Sequence, residues 1–84
     1  MTFGEAIKEI KDGGMVRRAG WNGKGMHIYL EDGYSETVKG GVFAGEVRKY
    51  EPVICMYNAQ GTHQPGWLAN QPDILAEDWE IVER

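Results

Sequence analysis

The chain has 84 residues, a formal net charge of −4, one cysteine and two histidines, so neither an internal disulfide nor a structural metal site is expected to staple the fold. The acidic balance excludes a protein that lives on phosphate backbones, which needs a basic face, so no DNA or RNA polymer is expected as a partner. A single domain of this size buries only a modest share of its surface, and with 42% hydrophobic residues the remaining route to stability is self-association into a homo-oligomer.

No apolar run approaches a membrane span, and no basic segment followed by an apolar stretch opens the chain. Together with the lone Cys55, this leads to an expectation of a cytoplasmic protein, one domain over residues 1–84. Charge is unevenly spread. Lys8, Lys11, Arg17, Arg18 and Lys24 crowd the first part of the chain, while Asp73, Glu77, Asp78, Glu80 and Glu83 crowd the last. A small anionic ligand can therefore find a positive corner on an acidic protein.

Thr2 followed by Glu5 forms a capping box, and Phe3, Ala6, Ile7 and Ile10 share one helical face, which predicts a helix over Phe3 to Asp12. Gly13-Gly14 supplies the stop. Met15 to Ala19 reads as a strand with Arg17 and Arg18 on opposite faces, so at most one of them can face a given pocket. The turn Gly20-Trp21-Asn22-Gly23-Lys24-Gly25 leads into a second strand, Met26 to Leu30, closed by Glu31-Asp32-Gly33. Tyr34 to Glu51 mixes glycine, charge and single aromatics without sustained periodicity, an excursion with room for a short helix or a hairpin.

Pro52-Val53-Ile54-Cys55-Met56-Tyr57 is nearly continuously apolar, which predicts a strand buried on both faces. Asn58 to Gly61 then turns the chain into a short strand at Thr62 to Gln64, with His63 in a polar turn context. Asn70-Gln71-Pro72-Asp73 marks a helix start with proline in the first turn, continuing for one turn through Ala76. Asp78 to Val82 closes as a strand in which Trp79 and Ile81 share a face. The predicted fold class is α+β: an N-terminal amphipathic helix packed on a small antiparallel sheet of about four to five strands.

The tryptophans carry the functional reading. Trp21 sits on a glycine-rich turn with little neighbouring side chain to bury against. Beside it, Asn22 offers a donor and an acceptor, Gly23 allows close backbone approach, and Lys24 offers a charge for a phosphate. The glycines spell neither a Walker loop nor a dinucleotide-binding fingerprint. Trp21 is thus read as a stacking ring or as a plug on a tight turn. Trp67 and Leu68 follow Pro65-Gly66 and are read as ligand contacts or as a cover for the sheet end. Asn70 and Asp73 complete the candidate set, with a helix-start role as the other reading for Asp73. Trp79 is assigned to the core. His27, His63 and Cys55 lack partners at a diagnostic spacing, so neither a catalytic residue nor a cofactor is expected, and the chain is read as a binder without turnover.

Three stretches resemble a family of small phage and prophage proteins long known only as a domain of unknown function. They are Phe3-Gly4-Glu5-Ala6, Arg18 through Met26, and Trp67-Leu68-Ala69 with Gln71 through Trp79. That family includes the second class of Thoeris anti-defence proteins. The resemblance implies a molecular sponge that sequesters glycocyclic ADP-ribose, the signal made by the TIR-domain protein of the Thoeris system, without degrading it. It also implies a homotetramer with signal pockets shared between protomers, and in some members separate sites for cyclic oligonucleotides. Such a ligand presents an adenine to stack, ribose hydroxyls for amides, and a pyrophosphate for N–H groups and lysine. On this reading Trp21 and Trp67 are expected to meet across a protomer boundary. Two other functions remain at this point: a sponge for a cyclic di- or trinucleotide, and a phage protein-interaction module.

Overall fold

The structure is a computed structural model that describes residues 1–83. Helix α1 spans Phe3–Lys11, and its capping box is closed at both ends: the Glu5 N–H donates to Thr2 Oγ1 at 3.2 Å, and the Thr2 N–H donates to Glu5 Oε1 at 2.9 Å. Asp12 is the C-cap rather than a last helical residue. The Gly14 N–H donates to the Glu9 carbonyl and the Gly13 N–H to the Ile10 carbonyl, the paired bonds of a Schellman stop, with Gly13 at φ 94°. Local sequence accounts for the bounds of this helix, and burial of Ala6 and Ile10 in the core holds it.

Strands β1 (Met15–Arg18), β2 (His27–Glu31), β5 (Val53–Tyr57), β6 (His63–Pro65) and β7 (Trp79–Val82) form one antiparallel sheet in the order β6-β5-β2-β1-β7. Strands β3 (Tyr34–Thr37) and β4 (Val47–Tyr50) form a separate two-stranded arm. The short helix α2 (Gln71–Leu75) leads into β7. The α+β architecture thus agrees with the sequence, and the 34–51 excursion resolves into a hairpin. Its residues are almost all exposed, which explains why no burial period marks them.

Register places Val16, Ile28 and Met56 in one cross-strand row, and α1 buries Ala6 and Ile10 against that row and Trp79. Trp79 is 2% exposed, and its Nε1–H donates to the Asp73 carbonyl at 2.9 Å, so the one polar atom of the ring is satisfied inside the core. Trp79 and Ile81 do share a face, but Ile81 lies on the edge strand and stays 49% exposed.

The opposite face carries the row Met15, Tyr29, Cys55, Pro65 and the row His27, Tyr57, His63. Strand β5 is therefore a correction to the sequence reading. Its centre, Cys55 and Met56, is buried on both faces, but Val53 is exposed and Tyr57 half-buried, because α1 covers only one side of the sheet. The short strand expected at Thr62 to Gln64 is β6, where His63 has a partner the sequence did not show: its Nδ1 is 2.6 Å from the Tyr29 hydroxyl. At the root of the arm, Gly33 passes so close to β4 that an added Cβ would lie 2.5 Å from the Tyr50 carbonyl oxygen. Only glycine fits there without moving the backbone. No helix among the described residues is long and apolar enough to cross a membrane.

Candidate ligand-binding site

The end of β1, the Gly20–Gly25 turn, the segment before α2 and the start of β7 converge on one corner. Trp21 and Trp67 both pack on it from the same chain, with ring centroids 6.2 Å apart at 70°. Each also meets Trp79 edge-on, Trp21 at 5.3 Å and Trp67 at 6.3 Å. The expected meeting across a protomer boundary is thereby corrected: the rings meet within one protomer, because pairing of β1 with β7 and the return of the chain after β6 bring both turns to Trp79. Trp21 and Trp67 are half-buried, so each uses part of its surface on Trp79 and keeps part at the surface.

Arg18 ties this corner together. Its Nη1–H donates to Asp73 Oδ1 and its Nε–H to Asp78 Oδ1, both at 3.0 Å, while the Gly20 N–H donates to Asp78 Oδ2 at 3.2 Å. Arg17 points the other way and pairs with Glu80 at 2.8 Å, so one arginine of the pair faces the corner, as alternation along a strand requires. Asp73 is buried, and its second oxygen closes a capping box with Asn70, whose side chain accepts from the Asp73 N–H at 2.9 Å. Asn70 and Asp73 thus hold the start of α2 and the Arg18 guanidinium before any ligand is considered.

The remaining predicted residues separate by surroundings. Gly23 has a packing reason of its own, since an added Cβ would collide with the Met26 side chain and meet Ala59 Cβ at 3.0 Å. Leu68 is 88% exposed. Asn22 and Lys24 are exposed beside Trp21. The N–H groups of Asn22, Gly23, Lys24 and Gly25 donate to no protein acceptor among the described residues, leaving a run of four free donors next to a lysine. Unpaired successive N–H groups with a cation are the chemistry that holds a phosphate.

The Arg18 hydrogen bond holds the Asp78 carboxyl below the usual carboxylate range, and the Gly20 N–H lowers it further against the cost of burial. A depressed carboxylate contributes stability that is complete above the ordinary aspartate value of about 3.9 and is lost as pH falls through the lower native value. Melting temperature is therefore expected to drop on the acid side of about pH 4. Asp78→Asn, which has no proton to gain, should melt lower at neutral pH and show a shallower acid limb. An acid limb of unchanged slope would place the titrating group elsewhere.

Sequence reasoning missed a second feature. On the open face of the sheet, at the root of the arm, Tyr29, Tyr34 and Tyr50 line a cavity of about 510 Å³ with Glu31 and Glu51 at its rim. Tyr34 and Tyr50 stack at 4.8 Å and 21°, and the Tyr50 hydroxyl donates to Glu36 at 3.0 Å. Nothing in the sequence pointed to it, because Tyr29 and Glu31 of β2, Tyr34 of β3 and Tyr50 of β4 come together only through the pairing of the strands.

Residues 1–82 match the Tad2-like family, described as the Thoeris anti-defense 2-like domain. The chain is also similar to Thoeris anti-defense 2 of Bacillus phage SP01, at 39% identity over 85 residues that cover 98% of this chain and 94% of the relative.

Proposed function

The chain belongs to the Thoeris anti-defense 2-like family, and on that premise we propose that it is a phage anti-defence protein that binds and sequesters a cyclic ADP-ribose-type signal, glycocyclic ADP-ribose, without turnover. One observation carries the reading: the four N–H groups of Asn22 to Gly25, which meet no protein acceptor among the described residues, belong to the same turn as Lys24 and the half-buried Trp21, whose ring packs against Trp67. The pyrophosphate takes the donors and the lysine, and the adenine stacks on one indole while the other, at 70°, meets its edge. Each stacked base is worth about 1–3 kcal/mol.

A sponge has to outcompete the receptor for the same molecule, which asks for submicromolar affinity, about −8 kcal/mol or better. One exposed corner with a single stacking face does not reach that figure. Enclosure by a second copy of the chain does, through added contacts and exclusion of water, so the proposal includes a homo-oligomer, a tetramer in the family's manner, acting in the cytoplasm of the host. His63 bonds the Tyr29 hydroxyl on the other face of the sheet, while His27 Nδ1 lies 2.8 Å from the Gly25 carbonyl at the end of the turn.

Titration calorimetry with purified glycocyclic ADP-ribose, followed by heating and chromatography of the released molecule, tests the reading. Saturable submicromolar binding with intact ligand recovered is the expected result. Absence of binding heat, or recovery of a cleaved product, overturns it. Competition with cyclic di- and trinucleotides reports whether the corner prefers the proposed signal.

A further inference from the structure

The cavity at the root of the arm has a charge preference opposite to that of the tryptophan corner. It is lined by the aromatic residues Tyr29, Tyr34 and Tyr50 and by the apolar Val53 and Pro65. Glu31 and Glu51 are its only carboxylates, and among the described residues neither has an ion-pair partner; His63 also lines it, with its Nδ1 2.6 Å from the Tyr29 hydroxyl. No lysine or arginine lines it.

The bases of the arm are placed elsewhere. Lys49 pairs in register with Ser35, on the face of the arm opposite the Tyr34–Tyr50 pair. Arg48 is drawn toward the tip, where it lies 5.4 Å above the Phe43 ring and 3.8 Å from Glu46. The local field is thus negative. Burial, with Glu36 and Glu31 adding to it, pushes the Tyr34 phenol up, and burial with Cys55 and Glu31 does the same to Tyr29. The part of that shift that comes from the glutamates favours a cation at the same place, whereas burial opposes either charge.

Aromatic walls attract a cation through the negative faces of their rings, most strongly where water is partly excluded. An apolar lining suits methylene groups, and two carboxylates match two positive charges. A nucleotide phosphate would meet two glutamates and neither lysine nor arginine here. We propose that the cavity bounded by Tyr29, Tyr34 and Tyr50 is a second, separate binding site that takes an aliphatic diamine or polyamine, its methylenes on the rings and its ammonium groups on Glu31 and Glu51. A volume of about 510 Å³ lies within the range of small-molecule pockets, roughly 300–1,000 Å³.

The site is tested by titrating spermidine and putrescine into the full-length protein, with tyrosine ring resonances and calorimetry as readouts. Saturable binding is expected, with shifts confined to Tyr29, Tyr34 and Tyr50. The double variant Glu31→Gln/Glu51→Gln should lose at least about tenfold in spermidine affinity, since each carboxylate is a charge partner. Because both side chains are exposed, the variant should melt like the parent and keep its affinity for the nucleotide signal. Unsaturable binding, equal binding by the double variant, or equal shifts on adding magnesium chloride at matched ionic strength overturns the site. Tighter binding of a lysine- or arginine-bearing peptide than of spermidine overturns the assignment to a free polyamine.

Discussion

Trp79→Ala loses about 3–5 kcal/mol of folding free energy, the expected cost of truncating a large buried ring. The ring is 2% exposed, lies 5.5 Å from Phe3, and is the common neighbour of Trp21 and Trp67, so its removal opens a void that four elements border. An 84-residue domain has roughly 4–13 kcal/mol in total by the usual per-residue scale, so the loss is at least about a fifth of the whole and reaches unfolding at the lower end. Trp79→Phe keeps most of the volume and forfeits the bond from Nε1 to the Asp73 carbonyl, and about 1–2 kcal/mol is expected. Urea melts at one protein concentration and without ligand measure both, since self-association and ligand each raise apparent stability. A loss below about 1 kcal/mol in the alanine variant would remove Trp79 from the centre of the core.

Trp21→Ala is expected to weaken binding of glycocyclic ADP-ribose by at least about tenfold, equivalent to about 1.4 kcal/mol. The structure adds a second effect. Because Trp21 packs edge-on against Trp79, the truncation also destabilises the fold, and an affinity measured on the alanine variant alone mixes the two. Trp21→Leu separates them: it restores apolar volume against Trp79 without a flat π face. The leucine variant should melt close to the parent and bind as weakly as alanine, whereas Trp21→Phe should recover much of the affinity. A leucine variant that binds like the parent makes Trp21 a packing residue, and the free N–H groups of the turn then lose their stacking partner.

How legible the molecule was in its sequence depends on the range of the interactions involved. Helix α1 was legible to within one residue because its period, capping box and glycine stop are all local. Trp79 could be assigned to the core because it alternates along a strand. The arm was not legible: Tyr34–Thr37 and Val47–Tyr50 bury no face, so pairing across an intervening loop is all that defines them. The corner was legible in its residues and not in its wiring. Asn70 and Asp73 read as contacts for a ligand, yet the Arg18–Asp73 pair joins residues far apart in the chain and engages that carboxylate from within. The tyrosine cavity lay wholly outside sequence reasoning, since β2, β5 and the root of the arm meet there only once the register of the sheet is set.

The meeting of all three indoles has an optical consequence. With every pair of rings between 5.3 and 6.3 Å apart and tilted steeply to one another, their excited states couple, and the three chromophores absorb and emit as a unit. Near-ultraviolet circular dichroism should therefore carry an exciton signature that changes when any one of the three is replaced and vanishes only when two are. A heterocycle that stacks on Trp21 would quench emission from the whole cluster, so the protein carries its own label-free reporter of whatever reaches that corner.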